Sequence, residues 1–129
     1  MKDVFNNCPY SKLLGMEVIN VREGKSRMRM PFKRDLTHPY GIIHGGAIAS
    51  LADSSVAMAL LSLVKPSDRI MTIEFEINFF VPAGEKELTA EAKIIHKNSN
   101  TAVGVTEVVN EDDKLVAKVI ATYGIGRGD

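Results

Sequence analysis

Two periodicities divide this chain into elements. Ser26, Met28 and Met30 alternate with Arg27 and Arg29, the period of two that marks a strand with one buried face. The β-rich residues 16–21 precede it across Arg22-Glu23-Gly24-Lys25, so residues 16–30 predict a hairpin that Pro31 ends. The clearest alternation runs over residues 72–81. It predicts Ile73, Phe75, Ile77, Phe79 and Val81 on one face, and Thr72, Glu74, Glu76 and Asn78 on the other. Residues 88–94, 103–109 and 115–125 predict three further strands, with turns at 82–85, 97–100 and 110–113.

Residues 44–64 follow a different rule. They open on His44-Gly45-Gly46, then run without another glycine or any proline to Lys65-Pro66, where a helix must stop. Nearly every side chain is small or apolar, and Asp53 carries the one charge. A helix that is apolar on all sides is buried on all sides. Upstream, Val4, Phe5, Tyr10, Leu13 and Leu14 surround Pro9 and predict a short helix or turn closed by Gly15. Residues 32–43, with Pro39 and Gly41, predict a loop that delivers the chain to the long helix.

The order is therefore a hairpin, one long helix, then four strands joined by short turns, which favour antiparallel neighbours. One long central helix against a curled antiparallel sheet is an α+β architecture, expected as a single domain over residues 1–129. Such a sheet wraps most of the helix but not all of it. A second copy is the simplest cover for the rest, so at least a homodimer is expected.

Composition narrows the classes. Apolar content of 45% and charged content of 25% suit a soluble globular chain. Sixteen basic residues balance sixteen acidic ones, which leaves no net field to draw nucleic acid or an anionic membrane. The one cysteine, Cys8, has no internal disulfide partner, which fits a cytoplasmic location, and residues 1–14 lack the apolar run of a signal peptide. A membrane span over residues 46–64 is disfavoured by Asp53 at its midpoint and by Ser50, Ser54, Ser55 and Ser62.

Candidate chemistry centres on the long helix. Its first N–H groups have no internal partner and carry the positive end of the dipole. Gly45 and Gly46 leave that backbone uncovered, so a carbonyl oxygen gaining negative charge could approach it. The glycines would equally permit close packing or a turn. Asp53, seven positions after Gly46, lies on nearly the same face but about 10 Å further along the axis. It cannot reach a carbonyl at its own helix start. An antiparallel helix of a second subunit would bring one chain's Asp53 to the other's Gly45–Gly46. The competing reading is a structural aspartate bonded to Ser50, Ser54 or a neighbouring strand. His44 and His38 share the preceding loop, but no i,i+4 histidine pair or nearby cysteine supports a metal, and none is expected. No nucleophile elbow, phosphate loop or dinucleotide fingerprint is present.

The segments THPYGIIHGGAIASLADSSVAMAL, MTIEFEINFFVPA and LVAKVIATY resemble the hot-dog-fold acyl-CoA thioesterases of the phenylacetate-degradation type. The resemblance covers about residues 12–125, and His44, Gly45, Gly46 and Asp53 carry its HGG-x6-D signature. It implies a sheet wrapped around one helix, homodimers that share a continuous sheet, and often a homotetramer built as a dimer of dimers. It also implies hydrolysis of an acyl thioester with no metal or organic cofactor. Carried onto this chain, the Gly45 N–H polarises the thioester carbonyl, with Gly46 beside it. Asp53 of the facing subunit acts as general base on water, or as nucleophile. His44 supports the loop, and Thr72 helps to place the water or Asp53. Where many members carry asparagine six residues before the HGG histidine, this chain has His38, which imitates one amide hydrogen bond at a time. Two other classes stay open: a non-catalytic acyl-thioester binder, and a hydratase using His44 as acid/base.

Overall fold

The computed structural model describes Phe5 and residues 7–128. Val4, part of the predicted N-terminal apolar set, lies outside the described residues. A short helix, α1 (Pro9–Leu14), starts on a proline and closes at Gly15 with φ 76°. The hairpin follows as β1 (Glu17–Arg22) and β2 (Lys25–Met30). Its turn residues Glu23 and Gly24 both have positive φ, the two-residue connection whose twist matches paired strands. A 3-10 turn (Arg34–Leu36) interrupts the loop that leads to α2 (Gly45–Leu61). The remaining strands are β3 (Arg69–Phe79), β4 (Leu88–Lys97), β5 (Thr101–Asn110) and β6 (Leu115–Gly126).

The six strands form one antiparallel sheet in the order β1-β2-β4-β5-β6-β3, with α2 packed against its inner face. This is the α+β hot-dog arrangement. Met28, Met30, Leu51, Val56, Leu60, Leu88, Val108 and Val116 are fully buried between helix and sheet. Each contributes roughly 1.5–3 kcal/mol of burial free energy. The helix lies close because β5 offers no side chain beneath it at one point. A Cβ on Gly104 would fall 2.6 Å from Val56 Cγ1. Beside it, Ser26, Ser55 and Thr106 form a closed polar cluster: the Ser26 hydroxyl donates to the Ser55 carbonyl at 2.6 Å, and the Ser55 and Thr106 hydroxyls are 2.9 Å apart.

Two expectations need correction. The helix stops at Leu61, not Val64, because the Ser62 hydroxyl turns back onto the Ala59 carbonyl and accepts the Gly24 N–H. As expected of a sheet that wraps only part of the helix, one side stays uncovered in this chain. Ala49, Ser50, Asp53, Ser54, Ala57 and Leu61 form a half-buried strip that the sheet does not reach. Finally, Ile73 does not share a face with Phe75. The β3–β6 register shifts between Thr72 and Glu74, a β-bulge at Ile73. The bulge leaves Ile73 61% exposed, its side chain against Gly124, and turns Thr72 inward on the side of Phe75 and Ile77.

No helix among the described residues is long and apolar enough to cross a membrane.

Candidate active site

His44 caps the start of α2. Its backbone is extended (φ −65°, ψ 140°), and its Nδ1 accepts the Gly46 N–H at 2.7 Å. A neutral imidazole that accepts at Nδ1 carries its proton on Nε2. The cap thus uses one of the helix's free N–H groups. The Gly45 N–H has no hydrogen-bond partner among the described residues. Gly45 also makes room for a ring: a Cβ there would lie 3.2 Å from Phe79 Cζ.

Gly45 lines a cleft of about 360 Å³ with His38, Ile42, Ile43, Ile48, Phe79, Phe80 and residues 81–83. His38 is its one ionisable side chain, and His38 Nδ1 accepts the Tyr40 N–H at 3.0 Å. The loop behind is pinned from three sides: His44 N–H to the Leu36 carbonyl, Ile43 N–H to the Gly84 carbonyl, and His38 N–H to the Ile42 carbonyl. Phe79 and Phe80 line this cleft, whereas Met58 and Leu60 of the helix are buried core.

Asp53 occupies a separate hollow of about 210 Å³ on the uncovered strip of α2, with Ala49, Ser50, Thr72 and Phe75. Its partners come from two neighbouring strands, not from Ser50 or Ser54. Thr72 donates its hydroxyl to Asp53 Oδ1 at 3.0 Å, with Oδ2 at 3.4 Å. The Tyr123 hydroxyl donates to the same Oδ1 and lies 2.9 Å from the Asp53 backbone carbonyl oxygen. Thr72 and Tyr123 are direct cross-strand partners in the β3–β6 ladder. Burial, and then the hydrogen bond to the Asp53 carboxylate, push the Tyr123 phenol well above its ordinary range, so it remains a donor. Tyr123 was not singled out from sequence. The available signal was a tyrosine among the inward-facing Val119, Ala121 and Ile125 of the last strand, where a buried hydroxyl needs a partner.

Asp53 and Gly45 therefore belong to different clefts of one chain, eight residues or about 12 Å apart along the helix axis. A larger hollow of about 430 Å³ includes Lys25, Glu91, Lys93, Glu107 and Lys118, a set of opposite charges without Asp53 or Gly45. Arg34, Arg69 and Lys97 are exposed basic side chains.

The sequence pattern of the thioesterase superfamily matches residues 40–117, which include His44, both glycines, Asp53 and Thr72. The chain belongs to that superfamily. As a member it is a thioester hydrolase. The acyl-coenzyme A thioesterase PaaI of Escherichia coli is 32% identical over 115 residues, covering 88% of this chain and 80% of PaaI. The solved structure of E. coli PaaI superposes with a TM-score of 0.89 at 28% identity, covering 98% of this chain and 90% of that one. A thioesterase family protein from Silicibacter pomeroyi gives a TM-score of 0.91 at 26% identity, covering 98% and 95%. The 1,4-dihydroxy-2-naphthoyl-CoA hydrolase of Listeria monocytogenes is 24% identical over 103 residues, covering 80% of this chain and 84% of the relative.

Proposed function

We propose that this thioesterase hydrolyses acyl-CoA thioesters to the free acid and coenzyme A, in the cytoplasm, as a homodimer or dimer of dimers. The Gly45 N–H holds the thioester carbonyl oxygen and gains strength as that oxygen becomes negative. The apolar cleft beside it takes the acyl group. The partner subunit's Asp53 either removes a proton from the attacking water or attacks the carbonyl carbon itself. With water as nucleophile, the tetrahedral intermediate collapses to the free acid and the coenzyme thiolate, which takes up the proton that Asp53 removed. With Asp53 as nucleophile, loss of the thiolate leaves a mixed anhydride on Asp53 that a water then hydrolyses to the acid, its proton going to the thiolate. His44 holds the loop through its bond to Gly46, and His38 borders the acyl cleft. His44 acting as a hydratase acid/base is the weaker reading, because its Nδ1 is already engaged in the cap.

One observation carries the reading: the helix start offers an N–H with no partner among the described residues, in an apolar cleft, while the helix's single carboxylate lines another hollow on the uncovered side. Neither half suffices alone, and an antiparallel second copy supplies what each lacks. Strand β3 supports such a pairing. It is a free sheet edge of eleven residues, long enough to pair with another chain, with Met71 and Ile73 exposed beside Arg69, Glu74 and Glu76.

The test is thiol release from a panel of acyl-CoAs, followed with a thiol-trapping dye. Wild-type protein releases coenzyme A. Asp53→Asn binds the same substrates with at least a hundredfold lower turnover, roughly the contribution of a general base. Binding without release by the wild type would overturn the proposal in favour of a non-catalytic binder.

A further inference from the structure

Thr72 and Tyr123 face each other across β3 and β6, and both hydroxyls converge on one atom, Asp53 Oδ1. We infer that this cross-strand pair is a two-hydroxyl clamp that fixes the Asp53 carboxylate with Oδ1 as anchor and Oδ2 as the reacting oxygen. Tyr123 is thus a positioning residue of the thioesterase site. The inference rests on the proposed role of Asp53 and adds which oxygen reacts and what aims it.

The geometry distinguishes the two oxygens. Oδ1 accepts from two side chains, whereas Oδ2 has only the longer approach of Thr72 among the described residues. Asp53 opens into the hollow shared with Ala49, Ser50 and Phe75, where a water or a carbonyl carbon would arrive. A carboxylate on a helix surface normally turns about two side-chain torsions. Two donors on one oxygen, both rooted in a hydrogen-bonded sheet, remove that freedom. Charge-assisted hydrogen bonds of this kind are stronger than neutral ones. The Tyr123 hydroxyl also lies beside the Asp53 backbone carbonyl oxygen, so the same ring locates both the residue and its side chain. Tyr123 is 3% exposed and does not line the hollow, which separates its role from that of a group touching substrate.

Because the chain carries Ile73, the clamp is kept by a bulge that absorbs that residue. Thr72 and Phe75 are three residues apart, an odd spacing that uninterrupted alternation would place on opposite faces. Bulging Ile73 out of the ladder keeps both inward and leaves Thr72 opposite Tyr123.

The experiment compares steady-state kinetics of Tyr123→Phe, Thr72→Val, Thr72→Ser, the Tyr123→Phe/Thr72→Val double variant and Asp53→Asn, with circular dichroism and gel filtration as checks of fold and assembly. The clamp requires Tyr123→Phe to lower kcat about ten- to a hundredfold while KM stays within about twofold, the size expected for a charge-assisted bond or a small misplacement. Thr72→Val shows the same split, Thr72→Ser restores kcat, and the double variant loses less than the product of the single losses. If Tyr123→Phe fails to fold, the Thr72→Val and Thr72→Ser pair decides the question alone. Unchanged kcat in both Tyr123→Phe and Thr72→Val, with turnover abolished in Asp53→Asn, overturns the clamp and leaves the proposed function standing. Unchanged turnover in Asp53→Asn overturns that function and the clamp with it.

Discussion

A carboxylate in the middle of an otherwise uncharged helix was legible from the sequence because its cost demands a reason. Of its partners, Thr72 came in only through the family resemblance, and Tyr123 not at all. Ser50 and Ser54 are its near neighbours in sequence, but Ser50 instead donates to the Gly46 carbonyl at 3.0 Å, and the partners of Asp53 come from 19 and 70 residues away. Contacts at that separation depend on strand register, which a single sequence encodes only weakly. A second aspartate, this one largely buried, shows the same physics. Asp68 accepts the backbone N–H groups of Gly128 and Lys65, each at 3.1 Å, and those bonds hold its carboxyl below the usual range. A lowered folded-state value stabilises the fold above the unfolded value, near pH 4, and the benefit fades as pH falls through the lower one. Wild-type protein should thus lose stability on acidification through that window, while Asp68→Asn starts lower and varies less with pH. Urea denaturation followed between pH 6 and pH 2.5 checks this.

At the level of elements, the hairpin, long helix and later strands all followed from periodicity. The bulge did not, because Ile73 and its neighbours alternate so regularly that nothing in β3 itself signals an interruption. The signal lies in another strand: Gly124, the cross-strand partner of Met71, leaves a bare patch that Ile73 covers. If the bulge only absorbs one surplus residue, deleting Ile73 leaves a regular ladder with Thr72 still opposite Tyr123. That variant should fold and retain turnover, whereas deleting Glu76 reverses the faces of every residue on one side of it and should not fold. Circular dichroism and thiol release distinguish the two. The helix–sheet contact is less forgiving. Gly104→Ala drives a methyl group into Val56 and should cost about 1–3 kcal/mol, partly recovered by Val56→Ala in the same chain, as read from urea midpoints.

For the whole molecule, the expectation that the sheet leaves one side of the helix uncovered came from counting layers, and the strip from Ala49 to Leu61 is that side. What the sequence did not reveal was that the strip and the helix start open into different clefts, since a linear motif such as HGG-x6-D lists residues without saying which share a hollow. In the proposed assembly β3 is the joining edge. Placing a charge there, as in Met71→Lys, should weaken association and make specific activity fall on dilution, with analytical ultracentrifugation reporting the monomer. The separation of the two clefts also has a genetic consequence. Gly45→Pro deletes the N–H at the first helical position, where proline's fixed φ suits the helix and His44 already has the extended backbone that proline requires. Its Cβ presses on Phe79 at 3.2 Å, a half-exposed ring that can turn aside. Mixed with Asp53→Asn after denaturation and renaturation, this lesion should be complemented. Each hybrid pair then gathers both faults into one reaction centre and leaves the other whole, so two inactive parents yield active offspring.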